Sequence, residues 1–477
     1  MSGLVEVRAS FFVIKTKIGQ DSRMISQRKI DRNRLAAVWE KEKVIFTERT
    51  VKSACIGKRA SNSLPNGVPM TWMAGLYRWQ PIYITHGKGE SFYDVDGNKY
   101  IDFNLCDLSM TAGYGNESIA LAVSNAVKKG AHFLLPTQEV VDVSEELAHR
   151  VGLPHWQFTL SASGANVEVL RIARAMTNRE KLVLFEGHYN GHFDEALVMR
   201  RGDGGTQCDL MGTSKSSSTN SIVLPFNDLA TLELTLSKRE TALIIAEPMM
   251  TNCNLVKPDH GFWSAVERMA KRYGTLVCYD EAHSFQFAFG GLVRTWNLNG
   301  DFVVLGKGLG TGVSFGLYGM ADHVAHFFKR HSDIDVGPKG IATGGTTYGS
   351  NIAVSAAKAA LFEVLTPAGY ERTQALGARL SDGLRAAFAE RCLPWCVMHY
   401  GPRVGYCLKD TLPRTGPQAW ESIDVEFIDT RRLFMANRGL WDAVASAGPQ
   451  VSFAHSQTHI DLYVSQASSF LDLVMDV

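Results

Sequence analysis

A lysine bracketed by glycines, Gly306-Lys307-Gly308, follows the apolar run Phe302 to Leu305, and an acidic pair, Asp280-Glu281, follows the run Thr275 to Tyr279. A third run, Ala242 to Ala246, ends in Glu247-Pro248. In an open parallel sheet, ligands bind just beyond the carboxyl ends of the strands, so these three places are where chemistry is expected. A glycine-flanked lysine by itself describes many surface turns. Paired with an acid at the end of another strand, it describes something narrower: the amine can condense with an aldehyde to give a Schiff base, and the acid can keep a pyridine nitrogen protonated so that the ring accepts electrons from a carbanion. Lys307 and Asp280 can fill these two roles, which are the ones pyridoxal 5′-phosphate requires.

Two further segments fit the same group. Phe158-Thr-Leu-Ser161-Ala162-Ser163-Gly-Ala-Asn166 is rich in small and hydroxylated residues and leads into a helical face formed by Ala165, Val169, Ile172, Ala173 and Met176. That is a helix start suited to an anion, although a plain serine cap gives the same pattern. Phe185-Glu-Gly187-His-Tyr189-Asn-Gly191 places Tyr189 in a glycine-bracketed loop just past a strand, where its ring could cover an aromatic cofactor.

The elements that must position these residues are legible as alternation. Lys181–Phe185, Ser221–Leu224, Ala242–Ala246, Thr275–Tyr279 and Phe302–Leu305 are short buried strands separated by helical segments, the pattern of a parallel α/β sheet. Phe262, Val266, Met269 and Tyr273 form one apolar stripe, with Gly274 where a C-terminal cap belongs. Upstream, Ile82–Thr85, Ser91–Tyr93 and Tyr100–Phe103 flank Asp94-Val-Asp-Gly97-Asn98, a hairpin signal. The organisation expected is an N-terminal arm (1–60), the first part of a small domain (61–115), a large cofactor-binding domain (116–365) and the rest of the small domain (366–477). The arm is rich in Lys and Arg with helical patterning only around Arg34–Phe46, and reads equally as a solvated leader or a docking segment.

Bulk properties narrow the partners. The 477 residues are 45% hydrophobic and 20% charged with a net charge of +1, which gives neither nucleic acid nor an anionic membrane a strong electrostatic handle. No apolar run approaches the ~18–20 residues of a membrane helix. Eight scattered cysteines form no CxxC pair and are expected as free thiols in a reducing cytoplasm, Cys392 and Cys396 as core-side thiols rather than metal ligands. No metal site is expected.

In this order along some 400 residues, these motifs resemble the class III aminotransferases of fold type I, in the branch containing glutamate-1-semialdehyde aminomutase and β-amino-acid aminotransferases. The resemblance rests on Asp94-Val-Asp-Gly with Tyr100-Ile-Asp-Phe, Gly187-x-Tyr-x-Gly, Glu247-Pro, Asp280-Glu, Leu305-Gly-Lys, Gly345-Thr-Thr-Tyr-Gly-Ser-Asn, and Ala454-His455 with Ile460-Asp461. It implies an α/β fold with a large domain around a mainly parallel seven-stranded sheet and a smaller α+β domain. It also implies pyridoxal 5′-phosphate as cofactor, bound as a Schiff base by Lys307, with Asp280 on the pyridine nitrogen, Tyr189 over the ring and Ala282 behind it. Ser161, Ala162 and Ser163 would take the phosphate, and Glu247 would support the region. Thr347 is similar to a threonine that reaches the phosphate across a dimer interface, so a homodimer with a shared active site is expected, acting on a small-molecule amine or amino acid and a keto acid.

The chain departs from the family at informative places. Its phosphate loop reads Ser161-Ala-Ser-Gly-Ala where Ser-Gly-Thr-Glu-Ala is usual, Ala282 replaces a branched residue, and Lys307-Gly-Leu-Gly-Thr-Gly replaces Lys-x-x-Gly-Gly-Gly. Aminomutases carry a carboxylate-binding arginine where this chain reads Asn66-Gly-Val-Pro-Met-Thr-Trp72, so transamination is expected over the amine shift, with Trp72 as an apolar wall. Arg403 is a candidate for a substrate carboxylate or a structural strand-end residue. Trp72, Tyr77, Phe285, Phe287 and Phe289 hint at a bulky apolar substrate, or are core. Racemisation, decarboxylation or intramolecular amine transfer on the same scaffold, and a non-catalytic or nucleotide-binding α/β protein, are the competing readings; no G-x-G-x-x-G follows a first strand to support the last.

Overall fold

The structure, a computed structural model, describes residues 29–76, 80–332, 340–444 and 448–476. Residues 1–28 of the expected arm and Tyr77 lie outside the described residues.

Strands β1 (Ile84–Lys88), β2 (Ser91–Asp94) and β3 (Lys99–Asp102) form an antiparallel meander. The turn between β2 and β3 is built by Asp94, whose carboxylate accepts from the Asp96 and Asn98 N–H groups at 3.0 and 2.8 Å and from the Tyr100 hydroxyl at 3.0 Å. The next nine strands are β4 (His155–Thr159), β5 (Lys181–Phe185), β6 (Val198–Arg200), β7 (Thr206–Cys208), β8 (Ser221–Leu224), β9 (Thr241–Ala246), β10 (Leu276–Asp280), β11 (Phe302–Gly306) and β12 (Gly316–Met320). Among the described residues, seven of these form the main sheet in the order β4-β12-β11-β10-β9-β5-β8, with β12 alone antiparallel to its neighbours.

Its central strands are apolar throughout because both faces are covered. Successive residues leave on opposite sides: Val183, Ile244, Val277 and Val303 enter one core, while Leu182, Leu243, Cys278 and Val304 enter the other. Helix Phe262–Tyr273 packs on the first face with Phe262 and Val266 buried, and ends at Gly274 with φ +71°, a left-handed cap that glycine accepts freely.

A separate core gathers Ile101 and Phe103 with residues from beyond Leu376. Here lie the hairpin β13 (Cys396–Tyr400) and β14 (Arg403–Cys407), and the short β15 (Leu440–Trp441), which pairs in parallel with β3 through Leu440–Ile101 and Trp441–Asp102. The described part of the segment read as an arm packs on this body: helix Arg32–Arg49 buries Leu35 in this core and Phe46 in a smaller cluster with Ile82, Phe92 and Tyr100, its Glu42 receives bonds from Arg438 at 3.0 Å, and helix Val51–Ala60 follows with Ser53 buried. The periodicity around Arg34–Phe46 thus understates two helices, one of which buries a carboxylate rather than a plain apolar stripe. Cys392, expected toward the core, is exposed in a turn at φ +53°.

Candidate active site

The carboxyl ends of β5, β9, β10 and β11 and the start of helix Ala162–Thr177 surround one cavity of about 350 Å³. Ser161, Ala162, Ser163, Tyr189, Glu247, Asp280, Ala282 and Lys307 all line it, so eight residues chosen from the sequence meet at one place. The volume suits a cofactor-sized ligand.

Asp280 is the last residue of β10 and almost fully buried. Asn166 and Asn190 donate amide hydrogens to its Oδ2 at 2.8 and 3.1 Å, and the Ala282 N–H donates to its Oδ1 at 3.1 Å. Three donors fix the carboxylate's orientation in the cavity wall. Lys307 follows β11 directly, in a tight turn, at φ +49°. A left-handed conformation is costly for a side chain with a Cβ, and such strain concentrates at functional positions.

The anion end is built by close approach. Ser161 caps the helix by accepting from the Gly164 N–H at 3.1 Å, and Ser163 accepts from the His192 N–H at 3.0 Å, which ties the loop bearing Tyr189 to the helix start. Gly316 lets β12 reach this point, since a Cβ there would lie 2.2 Å from the Ser161 carbonyl carbon; Gly191, at φ +112°, would bring one within 2.7 Å of the Ser163 hydroxyl. The helix N-terminus with its free N–H groups is the natural seat for a phosphate.

Glu247 is buried, and burial pushes its carboxyl up to about 7, with Asp280 adding to the effect; the Thr251 hydroxyl and Asn252 Nδ2 donate to it. Burial likewise raises the Tyr189 hydroxyl, while the residue remains 45% exposed and lines the cavity. Glu281, beside Asp280, points away: its carboxylate takes the Ser284 hydroxyl and the Leu292 and Val293 N–H groups at 2.7–2.8 Å and organises the following turn.

Three expected residues do not line the cavity. Trp72 sits 45% exposed on the short helix Thr71–Gly75, and Thr347 is exposed. Arg403 is wholly buried in β14, where its Nη2 donates to the Thr251 carbonyl at 2.7 Å, so it braces the Glu247 segment. Phe285 and Phe287 are fully buried core residues. Sequence reasoning missed Asn166 and Asn190, although both lie inside quoted motifs: nothing in a motif shows that two separate elements converge on one carboxylate.

The fit to pyridoxal 5′-phosphate is therefore direct: an amine, a clamped acid, an exposed aromatic ring and a glycine-cradled helix start share a cavity of the right size. A mainly parallel sheet carrying these groups at its carboxyl edge is that of the fold type I pyridoxal-phosphate enzymes. Within that class the chain belongs to the class III aminotransferase family, whose profile matches residues 74–393. A glutamate-1-semialdehyde 2,1-aminomutase of Gemmatimonas aurantiaca is 31% identical over 434 residues, 88% of this chain and 95% of that protein. Among solved structures, a glutamate-1-semialdehyde aminomutase from Pseudomonas aeruginosa PAO1 superposes with a TM-score of 0.89 at 28% identity, covering 93% of this chain and 99% of that one. An omega-transaminase from Sphaerobacter thermophilus gives 0.81 at 25% identity, covering 88% and 97%.

Proposed function

We propose that the protein moves an amino group between an amine or amino acid donor and a keto acid or aldehyde acceptor, using pyridoxal 5′-phosphate held at Lys307. The observation that carries this reading is Lys307 at the same cavity as a carboxylate fixed by three donors.

When bound, the cofactor supplies an aldehyde for imine formation and an electron-accepting ring. Asp280 would hold the proton on the ring nitrogen, while Asn166 and Asn190 hold Asp280. Ser161, Ala162 and Ser163 would hold the phosphate at the helix start, Tyr189 would cover the ring, and the small Ala282 would leave room beside it. Lys307 Nζ would supply the Schiff-base amine and, when free, would be the base that takes the proton from the substrate carbon bearing nitrogen. A homodimer in a reducing cytoplasm belongs to the same reading: the exposed Thr347 would complete the phosphate site of a facing subunit, and the eight cysteines are free thiols.

A second reading, an intramolecular amine shift, is favoured by the aminomutase relatives and opposed by Asn66–Trp72, which has no arginine for a substrate carboxylate. A half-reaction separates them. Mixed with an amine donor alone, a transaminase loses its visible cofactor band and releases one equivalent of carbonyl product; an aminomutase instead returns an isomer of its substrate. Lys307→Ala is expected to lack the visible band of the lysine-linked cofactor, and a normal band in that variant would overturn the assignment.

A further inference from the structure

Lys307 Nζ pairs with the carboxylate of Asp107, a residue to which the mechanism above gives no role. Asp107 lies in Leu105-Cys106-Asp107-Leu108, four consecutive residues with φ of +54°, +47°, +54° and +69°. A left-handed run of this length in residues bearing a Cβ persists only where surroundings enforce it. The enforcement is visible. Asp102 accepts from the Asn104 and Leu105 N–H groups at 2.8 and 2.9 Å, the Met110 N–H donates to the Leu105 carbonyl at 2.9 Å, and Leu105 and Leu108 are buried.

The charge around this carboxylate is specified from every side. His283, following β10, sets Nε2 3.7 Å from the same Asp107 oxygen and has no hydrogen-bond partner on that nitrogen. Behind it stand Glu247, 3.8 Å from His283 Nδ1, and the buried Arg403; Tyr189 and Cys106 complete the surroundings. Burial would raise the Asp107 carboxyl, but Lys307 and His283 outweigh it and hold it well below the usual carboxylate range. Burial, with Lys307 next, lowers His283. Asp107 is therefore an anion throughout the working range, and its partner is the nitrogen that forms the Schiff base.

We propose that Asp107 is a positioning residue that keeps a proton on Lys307 Nζ, both in the free lysine and once that nitrogen is joined to the cofactor aldehyde; this rests on the role given to Lys307 above. To condense, the ammonium gives its proton to water, the lone pair attacks the aldehyde carbon, one water leaves as the C=N bond forms, and the nitrogen regains a proton from water. A fixed anion opposes the first proton transfer and favours the last. The protonated imine is the form that a substrate amine attacks, so the carboxylate trades slower loading for a cofactor primed at neutral pH.

The test uses the full chain and two variants, Asp107→Asn and Asp107→Ala. Expected is a fall of at least one pH unit in the midpoint at which the visible band of the cofactor-loaded protein changes. Band formation should also be several-fold faster when pyridoxal 5′-phosphate is added to stripped protein at neutral pH. Formate added to Asp107→Ala should move the midpoint back up, as should Asp107→Glu relative to Asp107→Asn. Normal band formation with an unmoved midpoint in both variants overturns the role of Asp107 alone. Absence of any band in the unsubstituted protein overturns the Lys307 reading beneath it.

Discussion

At the scale of single residues, burial decides which groups carry charge. His455 is 1% exposed, its ring 4.5 Å from Phe103, and its Nδ1 accepts from the Ser452 N–H at 2.9 Å. Burial, reinforced by His459, drives it down to about 3. Because the unfolded chain protonates this histidine below about 6.5 and the folded chain does not, its contribution is intact at neutral pH and is lost as pH falls from there toward 3. His455→Gln keeps an acceptor but does not titrate. Its stability deficit against the unsubstituted protein, measured by urea unfolding, is expected to shrink by about 2 kcal/mol between pH 7 and pH 4.5. The same scale shows what a sequence can reveal about a site. Lys307 and Asp280 were legible because their chemistry demands those side chains at strand ends, and Tyr189 because glycines frame it. Asn166, Asn190 and Asp107 were not, since each acts on another residue from a different element, and Asp107 is one acid inside an apolar stretch.

At the scale of elements, glycine controls how closely the parts of the site approach. Gly316→Ala would press a methyl onto the Ser161 backbone, pushing β12 away from the helix that starts at Ala162. Overpacking of this kind costs about 1–3 kcal/mol. The expected outcome is a matching loss in unfolding free energy, accompanied by weakened retention of pyridoxal 5′-phosphate on dialysis. Central strands β5, β9, β10 and β11 were readable to within a residue because unbroken apolar runs suit a sheet covered on both faces. β12 carried no such signal: Gly316 and Gly319 interrupt it, the latter because the Trp156 ring fills the space a Cβ would need. Helix Phe262–Tyr273 was clear from one stripe and one cap.

For the whole molecule, the described residues that precede the first strand include a structural clamp. Glu42 is 1% exposed, held by both terminal nitrogens of Arg438 at 3.0 Å and by Asn437 at 2.7 Å, and it clamps helix Arg32–Arg49 to the second core. Removing one partner of a buried pair leaves the other uncompensated and costs about 3–5 kcal/mol; Arg438 is partly solvated, so Glu42→Ala is expected near the lower figure, read as a drop in thermal midpoint. Hydrophobic pattern alone could not anticipate this, because a helix fastened by an ion pair shows no continuous apolar stripe. The parallel pairing of Ile101 with Leu440 has its own consequence during synthesis. The edge of β3 emerges from the ribosome hundreds of residues ahead of the strand that seals it, so the nascent chain carries a bare backbone template through most of translation. Closure of that edge therefore waits until the C-terminal segment has been made.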